Sequence, residues 1–201
     1  MTNDGAAAPE IVDGAAAPEI VVGVTGGIAA FKTAALVSQL VQQGAGVTVV
    51  MTAAAEKFIG PATFAALTGR PVARDIFDDA QFPLGAHITL AERARLLVVA
   101  PASADFLAKA AHGHASDLLS TLYLAFGGRV LMAPAMNTAM WNHAAVQRNV
   151  VQLRADGVQF VEPGSGWLSC RQVGAGRMAE PENILAAIRD LLGKVPSGDN
   201  A

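Results

Sequence analysis

Four short segments carry residue types and spacings suited to chemistry. Thr25-Gly26-Gly27-Ile28-Ala29-Ala30 sets two glycines between a β-branched run and a stretch with helical spacing. Glycines let the backbone turn tightly and approach a ligand closely. A helix start offers free N–H groups and the positive end of its dipole to an anion. The segment is neither GxGxxG nor a Walker loop, so a mononucleotide phosphate suits it better than a dinucleotide. An ordinary glycine turn has the same composition. Thr52 ends the next apolar run, where its hydroxyl could serve the same phosphate. His87 stands in GAHITLAER, either as a helix cap or partly buried residue, or as a base, because imidazole exchanges protons near neutral pH. Ser103, Ala104 and Asp105 follow the run RLLVVAPA. Small residues there would let a flat ring lie against backbone. The fourth apolar run leads into Ala135-Met136-Asn137-Thr138-Ala139-Met140-Trp141. Asn137 can donate its amide N–H groups to a carboxylate or cap a helix, and Met136 and Met140 are apolar and adaptable.

These residues need elements to hold them. Apolar runs begin at Glu19 and cover 47–52, 95–101, 129–136 and 158–163. Helical spacing follows Ile28 as far as Gly44 and recurs at 54–68, 103–112, 116–126, 138–156 and, opened by Pro181, about 182–192. Continuous apolar strands alternating with helices predict a parallel sheet covered on both faces, a doubly wound α/β domain. Ligands of such folds sit at the carboxyl ends of the strands, where each segment named above falls. Residues 164–180 contain Gly164, Gly166, Gly174 and Gly176 with few helix or strand signals, so a mobile loop is expected there.

Composition narrows the function. Apolar residues make up 52 % of the 201 residues and charged residues 15 %, which argues for a compact fold or a buried oligomer interface. A net charge of -3 without a basic stripe excludes a nucleic-acid partner. No apolar run is long enough to span a membrane. Cys170 is the single cysteine, so no internal disulfide can form. His112 and His114 lack further ligands at convincing spacing, and no metal site is expected. DGAAAPEIV occurs at 4–12 and again at 13–21. Residues 1–18 are expected to be a disordered tail, as are 195–201. The start carries no basic or apolar targeting pattern, and a cytoplasmic protein is expected.

On these segments the chain resembles the homo-oligomeric flavin-containing cysteine decarboxylases. That family carries PASANT, PxMNxxMW, an upstream histidine and a substrate clamp of the form ACGxxGxGRM. The counterparts here are PASADF (101–106), PAMNTAMW (134–141), His87 and SCRQVGAGRM (169–178). The resemblance implies a single Rossmann-like, flavodoxin-like domain over 19–194 with its clamp at 164–180. It also implies FMN held by Gly26, Gly27, Ile28, Thr52, Ser103, Ala104, Asp105 and Ala135, and a trimer or multiple of three with FMN near the interface. His87 would be the base, Asn137 the carboxylate holder and Cys170 a proton donor. Met136, Met140, Arg171 and Arg177 would contact substrate. Asp105-Phe106 and Arg171 depart from the pattern, the latter replacing glycine.

The implied chemistry is coherent. Loss of CO₂ from cysteine needs an electron sink β to the carboxylate, and oxidising the CH₂–SH carbon to a thioaldehyde supplies one. The oxidant must accept a hydride, which is flavin chemistry. The product enethiol is either reduced again, as in making phosphopantetheine from 4′-phosphopantothenoylcysteine, or left as such at the end of a ribosomally made peptide. Cys170 favours the first substrate. Arg171, and the absence of the synthetase domain that follows in many bacterial members, favour the second. A non-catalytic FMN-binding regulatory protein would lack His87 or Asn137, and a prenyl-flavin synthase would lack the clamp and PAMNTAMW segments.

Overall fold

The computed structural model describes residues 17–78, 80–169 and 171–193. The expected tails lie outside these residues except for positions 17 and 18, and so does Cys170.

Five parallel strands form the central sheet: β1 (Glu19–Val24), β2 (Gly46–Met51), β3 (Leu96–Ala102), β4 (Arg129–Pro134) and β5 (Gln159–Phe160), in the order β2-β1-β3-β4-β5. The fold is flavodoxin-like, as expected, and the order reverses between β1 and β3. The strands are apolar throughout because both faces are covered. Leu96, Val98 and Ala100 of β3 point into one core layer and Leu97, Val99 and Ala102 into the other. α1 (Ala30–Gln42), α2 (Pro61–Thr68) and α8 (Pro181–Gly193) close the first layer through Leu36, Leu40, Phe64, Ile184 and Ile188. α3 (Ala86–Arg93), α4 (Ala104–Ala111), α5 (Leu118–Ala125) and α7 (Ala144–Ala155) close the second through Leu90, Phe106, Leu107, Leu119 and Val150. Each fully buried Leu or Phe contributes roughly 1.5–3 kcal/mol.

Several boundaries differ from expectation. The helix expected over 54–68 is a 3₁₀ turn at Ala55–Lys57 followed by α2. Proline lacks an N–H and clashes with a preceding turn, so Pro61 starts a helix and cannot continue one. The helix expected over 138–156 divides into α6 (Thr138–Trp141) and α7. His143 is extended between them, and its Nδ1 accepts from Ala145 N–H at 3.2 Å. β5 has two residues where six were expected. The segment 164–180, read as a loop, contains an antiparallel hairpin of β6 (Gly164–Trp167) and β7 (Val173–Arg177). Hydrophobic alternation cannot reveal it, because glycine stands at 164 and 166 of one strand and at 174 and 176 of the other. Among the described residues no helix is long and apolar enough to cross a membrane.

Helix α5 packs directly on β1 because Gly23 has no side chain. A Cβ there would lie 2.5 Å from Leu119 Cδ1. Gly23→Val should therefore cost about 1–3 kcal/mol by overpacking, and adding Leu119→Ala should recover part of the loss. Urea unfolding of the three proteins measures both effects.

Candidate active site

The carboxyl ends of β1 and β3 are joined by one buried side chain. Thr25 Oγ1 donates to Pro101 O at 2.7 Å and accepts from Ser103 N–H at 2.9 Å. Thr33, on α1, donates from its hydroxyl to Ala100 O at 2.7 Å. The glycine turn is thus fixed against PASADF. Ser103 in turn caps α4, its Oγ accepting from Phe106 N–H at 3.2 Å.

Between these segments lies a cleft of about 550 Å³, within the range of cofactor and small-molecule sites. Gly26, Gly27, Ile28 and Ala29 form one wall, Ser103 and Ala104 another. Ala135, Met136, Asn137 and Met140 form a third, and the hairpin contributes Trp167, Leu168, Gly176 and Arg177. The N–H groups of Gly26, Gly27, Ile28 and Ala29 have no protein acceptor among the described residues. A Cβ on Gly26 would stand 2.6 Å from Ala54 Cβ, so only glycine lets the turn pass there. Four free donors at the start of a thirteen-residue helix suit a phosphate. The rim is apolar, with Ile28, Phe31, Phe58 and Trp167 all exposed, and suits a flat ring. The residues present therefore fit FMN.

Asn137 lines the cleft and caps a helix. Its Oδ1 accepts from Met140 N–H at 2.8 Å, capping α6. The acceptor end of the amide is thereby committed, which leaves the N–H₂ end as the group available to a ligand.

Four expected residues are not part of the cleft in one chain. Thr52 Oγ1 accepts from Ala55 N–H at 3.3 Å, capping the 3₁₀ turn. Asp105 points to solvent and pairs with Lys109 at 3.1 Å. His87 lies in the first turn of α3, outside the cleft lining, and its Nδ1 is buried without a hydrogen-bond partner among the described residues. Arg171 is exposed at the hairpin turn, with φ 62°. Its N–H donates to Leu168 O at 2.9 Å, so it occupies a left-handed position suited to the glycine of the clamp pattern.

Sequence reasoning missed Lys32. Its ammonium is buried at the cleft wall and donates to Met178 O at 3.2 Å and Glu180 Oε1 at 2.9 Å. Arg177 reaches the same oxygen at 2.9 Å. The signal was present, since Lys32, Leu36 and Leu40 share one face of an apolar helix. The Lys32 ammonium bonded to Glu180, with Arg177 beside it, holds the Glu180 carboxyl below its usual range.

The profile of the family described as Flavoprotein matches residues 13–193. The chain belongs to this flavoprotein family. It is 48 % identical over 162 residues to the coenzyme A biosynthesis bifunctional protein CoaBC of Bacillus subtilis, covering 81 % of this chain and 40 % of that protein. CoaBC of Haemophilus influenzae is 44 % identical over 170 residues, 84 % of this chain and 42 % of that one. The chain spans about two-fifths of the length of these curated relatives. The crystal structure of the FMN-dependent cysteine decarboxylase SpaF superposes with a TM-score of 0.77 at 36 % identity, covering 88 % of this chain and 96 % of that one. A cysteine-to-serine variant of PPC decarboxylase complexed with pantothenoylaminoethenethiol gives 0.82 at 28 % identity, covering 89 % and 100 %. The resemblance read from PASADF, PAMNTAMW and the clamp segment is borne out.

The depressed Glu180 carboxyl predicts a pH dependence. Its contribution to stability is fully present above the unfolded carboxylate value and disappears as pH falls through the lowered folded value. Exposure of Glu180 keeps the effect small. Hydrogen-exchange protection of β7 should therefore fall below the ordinary carboxylate range in the native protein, and Glu180→Gln should remove that step. A step that survives the substitution would assign it to another group.

Proposed function

We propose that this chain is an FMN-dependent decarboxylase of a terminal cysteine carboxylate, with 4′-phosphopantothenoylcysteine as its substrate. The observation that carries the reading is the Asn137 amide, whose acceptor end is used by the cap and whose donor end remains for the cleft. Donors without an accompanying acceptor select a carboxylate. The likeness to two CoaBC proteins at 44–48 % identity supports the substrate. We take 19–194 as the functional unit and 164–180 as its clamp. The substrate thiol must stay reduced, so we place the reaction in the cytoplasm.

The N–H groups of Gly26, Gly27, Ile28 and Ala29 would hold the FMN phosphate, and the apolar rim would exclude water from its ring. When bound, FMN supplies the hydride acceptor that oxidation of the CH₂–SH carbon requires. His87 takes the thiol proton. Asn137 holds the carboxylate until the C–C bond breaks, the thioaldehyde accepts the electron pair, and the amide releases CO₂. Return of the enethiol to a saturated thiol would take back the hydride that bound FMN had accepted, with Cys170 as the proton donor. This last role rests on the clamp motif alone, since Cys170 lies outside the described residues.

His87 is separate from the cleft of its own chain, so the reading needs a second copy. Phe77 and Leu84 are 80 % and 75 % exposed, and Ile88 is exposed beside His87. Ile28, Phe31 and Phe58 are exposed at the cleft rim. Two unlike apolar patches on one chain suit a head-to-tail contact, which forms a ring when its rotation closes. We propose a trimer, or a multiple of it, in which His87 of one protomer serves the cleft of the next.

A peptide substrate is favoured by one observation. Arg171 places charge and bulk at the hairpin turn.

The purified protein should be yellow and release FMN on denaturation. His87→Asn and Asn137→Asp should each bind FMN and lose at least about a hundredfold in turnover. Asp still accepts the capping bond, so loss in that variant reports on the carboxylate contact, where Asp removes the donor and adds a like charge. Co-refolding the two inactive variants in equal amounts should restore about one quarter of native activity, the fraction of interfaces pairing an intact His87 with an intact Asn137. A colourless protein unable to take up FMN would end the reading. Absence of complementation between two flavin-loaded variants would end the shared site.

Cys170→Ser separates the substrates. With 4′-phosphopantothenoylcysteine, native protein should yield a saturated thiol and the variant should stall at the enethiol with reduced flavin, followed by product mass and flavin absorbance. Enethiol from both proteins, and turnover of a peptide ending in cysteine, would move the assignment to the peptide.

A further inference from the structure

The return strand of the hairpin is fastened to the segment that carries Asn137. Met136 N–H donates to Gly176 O at 2.9 Å, and Thr138 Oγ1 donates to Ala175 O at 2.7 Å. Asn137 lies between these two tethers. Two glycines of β7 make the approach possible. Gly176 has φ 115°, and a Cβ there would lie 2.3 Å from Met136 O. A Cβ on Gly174 would lie 2.3 Å from Thr138 Oγ1. The outgoing strand differs: among the described residues, β6 is hydrogen-bonded only to β7.

We propose that Thr138 is a positioning residue for Asn137, with β7 as the strand it is fastened to. The Met136 bond holds the backbone before Asn137 and the Thr138 hydroxyl holds it after. The cap to Met140 N–H then sets the rotation of the amide. With all three in place, the N–H₂ group has one direction. Without the Thr138 hydroxyl, the backbone after Asn137 is free to rotate and the donor direction spreads. Recognition of a carboxylate then weakens, while contacts to the rest of the substrate persist. This inference rests on the reading that Asn137 meets the substrate carboxylate.

The test compares two ligands on FMN-loaded oligomer by calorimetry. One is 4′-phosphopantothenoylserine, in which a hydroxyl replaces the reacting thiol; the other is its decarboxylated ethanolamine counterpart. Native protein should prefer the serine compound. Thr138→Val should lower that preference about tenfold and leave the affinity for the ethanolamine compound unchanged, and Thr138→Ser should restore it to within about threefold. Gly174→Ala, which keeps the Thr138 hydroxyl but presses a Cβ against it and displaces β7, should give the same selective loss and decides the matter if Thr138→Val fails to retain FMN. The proposal is overturned if both variants keep the native preference, or if both ligands weaken equally, which would make Thr138 merely structural. A native protein without preference for the carboxylate would instead remove the Asn137 reading itself, and this inference with it.

Discussion

The hydroxyl of Thr25 holds the site together. In a parallel sheet each strand ends in backbone groups that its neighbours do not satisfy, and buried groups of this kind must find partners. Thr25 supplies a donor to Pro101 O and an acceptor to Ser103 N–H at the point where the strand order reverses. It thereby sets the distance between the glycine turn after β1 and the small residues after β3. The cleft exists because these two segments diverge from a common fixed point. Its floor is made of backbone, so its shape depends on hydrogen bonds more than on the identity of the lining side chains.

Electrostatics add a second fixed point at the other end of the cleft. Lys32 is buried on α1 with its ammonium turned toward the residues that follow the hairpin. A lone buried ammonium would be costly, and Glu180 together with Met178 O satisfies it. The same carboxylate holds Arg177, so helix α1 and the base of the hairpin are joined through one oxygen. The cradle helix and the clamp therefore share a charge network, while the hairpin turn near Arg171 stays outside it.

Much of this was legible in the sequence. Unbroken apolar runs such as Leu96–Ala102 announce strands covered on both faces, and their order with the intervening helices leaves few topologies open. The glycine turn, Asn137 and the clamp could be singled out because their residue types are restrictive. What escaped was relational. Thr25 is an ordinary residue until its partners 76 and 78 positions away are known. The hairpin has no alternation to betray it, and its strands are held by pairing and by docking on Met136–Thr138. His87 was legible as a residue but its place outside the cleft lining was not, because spacing along a chain does not report tertiary position.

The unequal fastening of the hairpin strands has a consequence for redesign. Gly174 and Gly176 face atoms little more than 2 Å from any added Cβ, so these two positions of β7 resist larger side chains. Gly164 has open space around it, and Gly166 meets only the flexible end of Arg177. Laboratory evolution of the hairpin would therefore find its tolerated changes on β6. Libraries confined to those positions would search a small space in which most members keep their cofactor and their fold.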